Sequence, residues 1–148
     1  MWNSTKSVKL SLALTYIFIV LLITVTFTLP MIVRWYVDIA GRSTNLMATI
    51  MVTGYICIPF LGLALLSLRR LLTNIIETRV FIDQNVQMLR RISWCCVFVS
   101  GITLIAGRFY LPFLIIGIAA AFFAMIIRVI KNVFRAAIVL KAENDMTI

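Results

Sequence analysis

The chain contains no histidine and only five acidic residues, so it has few of the side chains on which most enzymes and metal sites depend. General acid–base catalysis most often uses histidine or a positioned carboxylate. The carboxylates here are scattered along the sequence as Asp38, Glu77, Asp83, Glu143 and Asp145. The three cysteines alone are too few to build a zinc cluster. The sequence therefore predicts no catalytic residue, no metal site and no bound cofactor.

Charge of either sign is also scarce, and long apolar runs take its place. Charged residues make up 13% of the 148 residues and hydrophobic residues 63%, whereas soluble domains are roughly 45–50% apolar. A helix of about 20 apolar residues crosses a bilayer. Four segments approach or meet this length, namely residues 10–33, 46–68, 88–106 and 111–130. The sequence thus predicts an all-α, multi-pass membrane protein with one four-helix transmembrane domain over residues 1–148.

The third span has the shortest uninterrupted apolar run of the four, which covers only residues 92–106. Such a run rises roughly 22 Å as a helix, less than the hydrocarbon thickness of about 30 Å. Met88 and Leu89 extend the apolar surface, and the long side chains of Arg90 and Arg91 can reach the headgroups from within the span. We therefore expect the third span to begin near residue 88.

Apart from Arg90 and Arg91 near the start of the third span and Arg128 near the end of the fourth, the predicted spans contain no acidic or basic side chains. Transporters and proton pumps generally keep such side chains inside the membrane, where they handle a substrate or an ion. The first span offers hydroxyl groups instead, and we expect these to bond to the backbone of their own helix. The residues concerned are Thr15, Tyr16, Thr24, Thr26 and Thr28. A transport function is therefore disfavoured.

Lysine and arginine are distributed very unequally between the two sides of the predicted membrane. With the N-terminus inside, eleven lie in the cytoplasm and three outside. The eleven are Lys6, Lys9, Arg69, Arg70, Arg79, Arg90, Arg91, Arg128, Lys131, Arg135 and Lys141, and the three are Arg34, Arg42 and Arg108. The positive-inside rule then places both termini in the cytoplasm. The net charge of +9 is interpreted as a topology signal, and no direct binding of nucleic acid is expected.

The connection between the second and third spans has a helical pattern of its own. Leu68, Leu71 and Ile75 fall on one face and the charged residues opposite, which predicts that the second span continues as a cytoplasmic helix. A break follows near residues 77–80, and a second arm leads into the third span, so that residues 69–91 form a cytoplasmic helical hairpin. Asn85 falls inside the apolar arc of this second arm. It is either a specificity-determining contact for a partner or a buried amide that bonds a neighbouring helix of the same chain.

Beyond the fourth span the chain becomes amphipathic and then acidic. Arg128, Lys131 and Arg135 share one face, which we interpret as a membrane surface, because each basic residue is attracted to anionic lipid by about 1 kcal/mol. Residues 139–148 carry an acidic and amide cluster and are predicted to leave this helix as a cytoplasmic docking tail. Alternatively, Glu143 and Asp145 pair with arginines of the hairpin, so that the tail folds back as a cap.

Small residues in the fourth span allow close packing of helices. Gly117 with Ala121, and Ala120 with Ala124, have the spacing that lets two helix backbones approach. This spacing fits packing within the chain and formation of a homo-oligomer equally well.

Two stretches of the sequence resemble a known family. Before the third span the chain reads Val80-Phe-Ile-Asp-Gln-Asn-Val-Gln-Met-Leu-Arg-Arg-Ile92, and it ends in Leu140-Lys-Ala-Glu-Asn-Asp-Met-Thr-Ile148. Together with four spans, these stretches resemble the bacterial membrane family called domain of unknown function 2975, over nearly the whole chain. The matching positions are Phe81, Asn85, Leu89, Arg90, Arg91, Glu143, Asn144, Asp145, Thr147 and Ile148. Met146 stands where leucine is usual, a volume-conserving exchange.

The resemblance implies a location and a class of partner. Members of the family are often encoded beside a small helix-turn-helix regulator of the Xre type, which implies such a regulator as a partner and the bacterial inner membrane as the location. The matching positions in the hairpin and tail are then candidate partner-binding residues. We expect a membrane protein that binds and sequesters a transcription regulator. The alternative is a self-associating membrane protein, either a pore or an immunity factor against a membrane-active peptide.

Overall fold

The apolar runs fold as helices that include nearly all of the residues described in the computed structural model, which are 4–41 and 44–147. The helices are α1 (Ser4–Ala40), α2 (Thr44–Ile76), α3 (Asp83–Ala106) and α4 (Leu111–Met146). All four are long and apolar enough to cross a membrane. Helices suit this environment because they satisfy their own backbone hydrogen bonds where no water is present. The all-α, multi-pass prediction is confirmed.

The helices extend well beyond the predicted spans at the connection between α2 and α3. Helix α2 continues to Ile76 and α3 begins at Asp83, so the break covers residues 77–82. Met88 and Leu89 are buried while Arg90 and Arg91 are exposed. Helix α3 therefore begins before the uninterrupted apolar run of residues 92–106, and a short break separates it from α2. That residues 69–91 lie in the cytoplasm and that the third span begins near residue 88 stay predictions.

The backbones approach one another closely only between helices that are neighbours in the sequence. Within the described residues, α1 packs on α2, α2 on α3 and α3 on α4. Helix α3 is the least hydrophobic of the four and also the most buried. Its position between α2 and α4 gives its polar side chains partners on protein rather than contact with lipid.

Two serines of α3 bond across the interface to the backbone of α4. Ser93 Oγ donates to the carbonyl oxygen of Ala124 at 3.1 Å, and Ser100 Oγ donates to that of Gly117 at 2.7 Å. The two helices are so close here that a Cβ atom at Gly117 would lie 2.7 Å from Leu104 Cγ. Gly117 and Ala124 are buried in this contact. Their small size therefore serves packing within the chain.

The threonine hydroxyl groups of the first span bond to their own helix, as predicted, whereas the contact given for Tyr16 is between its ring and the guanidinium carbon of Arg69, at 5.2 Å. Each threonine donates to the carbonyl oxygen four residues earlier, at distances of 2.7 to 2.9 Å. The donors are Thr15, Thr24, Thr26 and Thr28. At the opposite end from the hairpin, Tyr36 and Tyr110 share a hydrogen bond of 2.7 Å between their hydroxyl groups. This bond ties the end of α1 to the connection between α3 and α4. Arg42, expected on this side, lies outside the described residues.

Two glycines provide a matched test of the α3–α4 contact. Gly101 on α3 has open space around its missing Cβ, whereas Gly117 has none. Replacing a mid-helix glycine by alanine stabilises a helix by roughly 0.5–1 kcal/mol, so we expect Gly101→Ala to stabilise the protein. Gly117→Ala should instead lose about 1–3 kcal/mol relative to Gly101→Ala through overpacking against Leu104.

The measurement is thermal unfolding of the detergent-solubilised protein, followed by a thiol-reactive dye that detects exposure of the buried Cys57 and Cys95. Equal stabilities for the two glycine variants would contradict the close contact between α3 and α4.

Candidate functional site

The hairpin begins where α2 ends in a left-handed residue. Thr78 has φ of 62°, a conformation that glycine usually supplies and that costs other residues roughly 1–2 kcal/mol. Arg79 N donates to the carbonyl oxygen of Asn74 at 2.9 Å, and Thr78 N donates to that of Ile75 at 3.2 Å. These two bonds are the Schellman pattern that closes the end of a helix. The turn therefore has a defined geometry in spite of the strain.

The side chain of Asn85 forms hydrogen bonds with the backbone of this turn. It is fully buried, and its Nδ2 donates to the carbonyl oxygens of Arg79 at 2.8 Å and Val80 at 2.7 Å. Its Oδ1 accepts a hydrogen bond of 2.8 Å from Asn74 Nδ2. One side chain thus joins the end of α2, the turn and the start of α3. A buried amide with three partners is stabilising, whereas the same amide without them would be costly.

Below this network, the hairpin packs on α4. Leu71, Met88 and Leu89 form a buried cluster, against which Phe134 of α4 packs. The rings of Phe81 and Phe134 lie 6.1 Å apart between centroids, within the range of favourable aromatic pairs. The hairpin is therefore held against α4 and does not stand free in solvent.

Two of the predicted partner-binding residues are structural instead. Asn85 and Leu89 are buried within the chain, so neither offers a surface that a partner could touch in this conformation. The prediction of Asn85 as a direct contact was wrong, and its alternative, a bond to a neighbouring helix of the same chain, describes it. Asn74 supplies that bond. It was missed because nothing marks it in the sequence except its place eleven residues before Asn85.

The remaining hairpin candidates are exposed. Phe81 is 46% exposed despite its contact with Phe134, and Arg90 and Arg91 are both accessible. Glu77 and Asp83 are exposed on the same hairpin. Its accessible surface therefore carries charges of both signs around one aromatic ring.

The C-terminal tail does not leave its helix, contrary to the prediction. Helix α4 runs without interruption to Met146, because no glycine or proline follows Gly117 and residues 136–146 include three alanines together with Leu140, Lys141 and Glu143, which favour the helix. Thr147 Oγ1 donates back to the carbonyl oxygen of Glu143 at 2.8 Å. The remaining tail candidates are all exposed, whereas Ile148 lies outside the described residues. The exposed candidates are Glu143, Asn144, Asp145 and Thr147.

The tail does not fold back over the hairpin either. Phe134 is the point at which α4 meets the hairpin, and the helix continues twelve residues further to Met146, a rise of about 18 Å. Glu143 and Asp145 are carried on this projecting part rather than returned to the arginines of the hairpin. The alternative of a cap is therefore wrong for this structure.

The three basic residues of α4 line a cleft with residues of α3. Arg128, Lys131 and Arg135 meet Arg90 and Trp94 around a cavity of about 390 Å³. The guanidinium carbon of Arg128 lies 5.9 Å from the centre of the Trp94 ring. The sequence placed the α4 residues on one face, but it did not indicate that Arg90 joins them.

Comparison with known proteins identifies one family and no characterised relative. The family described as "Protein of unknown function (DUF2975)" matches residues 12–148. No curated protein and no solved structure matches the chain. The match covers α1 from residue 12 onward, the other three helices, and the two stretches that carry the resemblance.

The network of Asn85 gives a testable expectation. Asn85→Ala should destabilise the protein by about 2 kcal/mol or more, because it leaves the Asn74 amide and two turn carbonyls without their partner. The exposed neighbour Gln84 provides the control, since Gln84→Ala removes an amide that faces solvent. Thermal unfolding in detergent and limited proteolysis at residues 77–82 would measure the effect. A stability for Asn85→Ala equal to that of Gln84→Ala would show that the turn does not depend on this network.

Proposed function

The chain belongs to the DUF2975 family, and on that premise we propose that it is a non-catalytic membrane receptor that binds a soluble cytoplasmic protein. The binding surface is the end of the molecule that carries the hairpin and the projecting part of α4, residues 136–146. The family description assigns no activity, so the proposal is drawn from the geometry of this end.

The orientation in the membrane is the first part of the proposal. The end with the hairpin carries most of the basic residues, including those on the hairpin, in the cleft and before the first apolar run. The opposite end carries Arg34 and Arg108 among its described residues. The positive-inside rule then favours the cytoplasm for the hairpin, both termini and the projecting helix, in a bacterial inner membrane.

The exposed apolar surface of the projecting helix carries the proposal. Val139, Leu140 and Met146 are 51%, 65% and 90% exposed, although they lie past the point where α4 meets the hairpin. Apolar side chains on a helix beyond the headgroups are stabilised when they enter a groove of a partner, as in the recognition of amphipathic helices. Lys141, Glu143 and Asp145 alternate with them and would define the orientation of that partner.

The partner that suits this surface is a DNA-binding regulator. Glu143 and Asp145 complement the basic side chains with which such proteins contact phosphate. A helix-turn-helix regulator of the Xre type is the partner that the family resemblance implies. Binding to the projecting helix would hold the regulator at the membrane and away from DNA. The protein therefore acts in transcription regulation by sequestration.

A second candidate has its own structural support. An apolar cavity of about 500 Å³ opens between α2, α3 and α4 and is lined by Phe60, Cys96, Ile116 and Phe123, among others. A second copy of the chain could bury this surface, as a pore or an immunity factor would require. Liposome conductance distinguishes the two functions, because a receptor should produce no current above that of the lipid alone.

Co-purification of the solubilised protein with the neighbouring helix-turn-helix regulator tests the receptor proposal. We expect deletion of residues 142–148 to abolish recovery of the regulator, and Glu143→Lys to reduce it about tenfold, equivalent to 1.4 kcal/mol. Asp38→Lys makes the same charge change at the opposite end of the molecule and should leave recovery unchanged. Full recovery after the deletion would refute the role of the projecting helix.

A further inference from the structure

A cleft between α3 and α4, separate from the projecting helix, concentrates positive charge in one place. Its lining contains Arg90 of α3 and Arg128, Lys131 and Arg135 of α4, and no acidic side chain. Four cations that share a cavity of about 390 Å³ repel one another unless an anion lies between them. We propose that this basic cleft binds the phosphate headgroup of an anionic phospholipid.

One of the cations is oriented for this task. The guanidinium carbon of Arg128 lies over the Trp94 ring at 5.9 Å from its centre, within the range of a cation–π contact. A guanidinium in such a contact has several N–H groups, and these match the oxygen atoms of a phosphate. Asn132 also lines the cleft and can donate through its amide. The cleft therefore offers both positive charge and N–H groups that can donate hydrogen bonds to phosphate oxygen atoms.

The depth of the cleft matches the phosphate layer of a membrane. The apolar part of α4 begins at Leu111, and the first charged residue after it is Arg128. These two residues are separated by about 26 Å along the helix axis, and Lys131 lies at about 30 Å. The hydrocarbon core is about 30 Å thick. A helix that crosses the membrane with Leu111 at one boundary therefore places Arg128 and Lys131 at the other.

An apolar groove continues from the cleft toward the middle of the membrane. A second cavity of about 220 Å³ shares Ser93 and Arg128 with the cleft, and Val97, Ala121 and Met125 also line it. The Ser93 and Ser100 hydroxyls in its wall already donate hydrogen bonds to α4 carbonyl oxygens. These hydroxyl groups therefore do not require a polar ligand in the groove. An acyl chain fits such a surface, and a free phosphate ion would leave it empty. The combination of cleft and groove selects a lipid.

The four cations also indicate the class of headgroup. A phosphodiester such as phosphatidylglycerol carries one negative charge, which leaves most of the four positive charges unbalanced. A lipid with two phosphodiesters, of the cardiolipin type, balances them better, and basic pockets between transmembrane helices are a known setting for such headgroups. Occupancy of this site would stabilise the α3–α4 contact independently of any soluble partner.

Fluorescence quenching at Trp94 provides a direct test. Trp2→Phe with Trp35→Phe leaves Trp94 as the remaining tryptophan, and this protein is placed in nanodiscs that contain a brominated lipid. We expect brominated cardiolipin to quench Trp94 more strongly than brominated phosphatidylcholine at equal acyl-chain content. Lys131→Gln with Arg135→Gln should weaken the apparent affinity for cardiolipin roughly 30-fold, if each cation contributes about 1 kcal/mol.

The control variant removes the same charge outside the cleft. Arg70→Gln with Arg79→Gln should leave the preference for cardiolipin unchanged, because neither arginine lines the cleft. Three results would overturn the proposal: equal quenching by the two lipids, equal loss of preference in both double variants, or displacement of the lipid by inorganic phosphate at constant ionic strength. The last result would identify a phosphate site that does not require the acyl chain.

Discussion

A polar group inside a membrane needs a partner on the protein, and this constraint accounts for the arrangement of the helices. Helix α3 carries Ser93, Ser100 and Thr103 and is the most buried of the four. Its two serines donate to carbonyl oxygens of α4, and Thr103 bonds to its own helix. Because lipid cannot satisfy these hydroxyl groups, α3 lies between α2 and α4, and the outer helices present apolar side chains to lipid.

Burial places the same requirement on Asn85 at the start of α3, in the hairpin. Asn85 is buried and bonded to both sides of the turn, and the cluster below it holds the hairpin against Phe134 of α4. Up to its contact with the hairpin at Phe134, α4 is part of the packed structure, and beyond that contact it projects. The basic cleft and the projecting helix then lie on successive stretches of one continuous helix. The proposed lipid site and the proposed partner site therefore use different residues of α4.

The sequence was sufficient to predict the fold and insufficient to predict the site. Hydrophobic length predicted the four helices, and the change of pattern near residue 77 predicted the break in the hairpin. Asn85 stood out in the sequence because it falls in an apolar arc. Its partner Asn74 did not, because the contact between the two residues depends on how α2 and α3 are rotated about their axes. The same rotation, for α3 and α4, brings Arg90 to Arg128. The tail was expected to unwind because it is polar, yet its residues favour the helix.

Binding of a cytoplasmic partner requires that the hairpin and the end of α4 both face the cytoplasm. Single cysteines at positions 79, 108 and 143, in a protein with its three native cysteines replaced, can be labelled in cells with a membrane-impermeant maleimide. We predict that position 108 reacts in intact cells and that positions 79 and 143 react only after the cells are opened. Labelling of position 143 in intact cells would contradict the account, because no cytoplasmic protein could then reach the projecting helix.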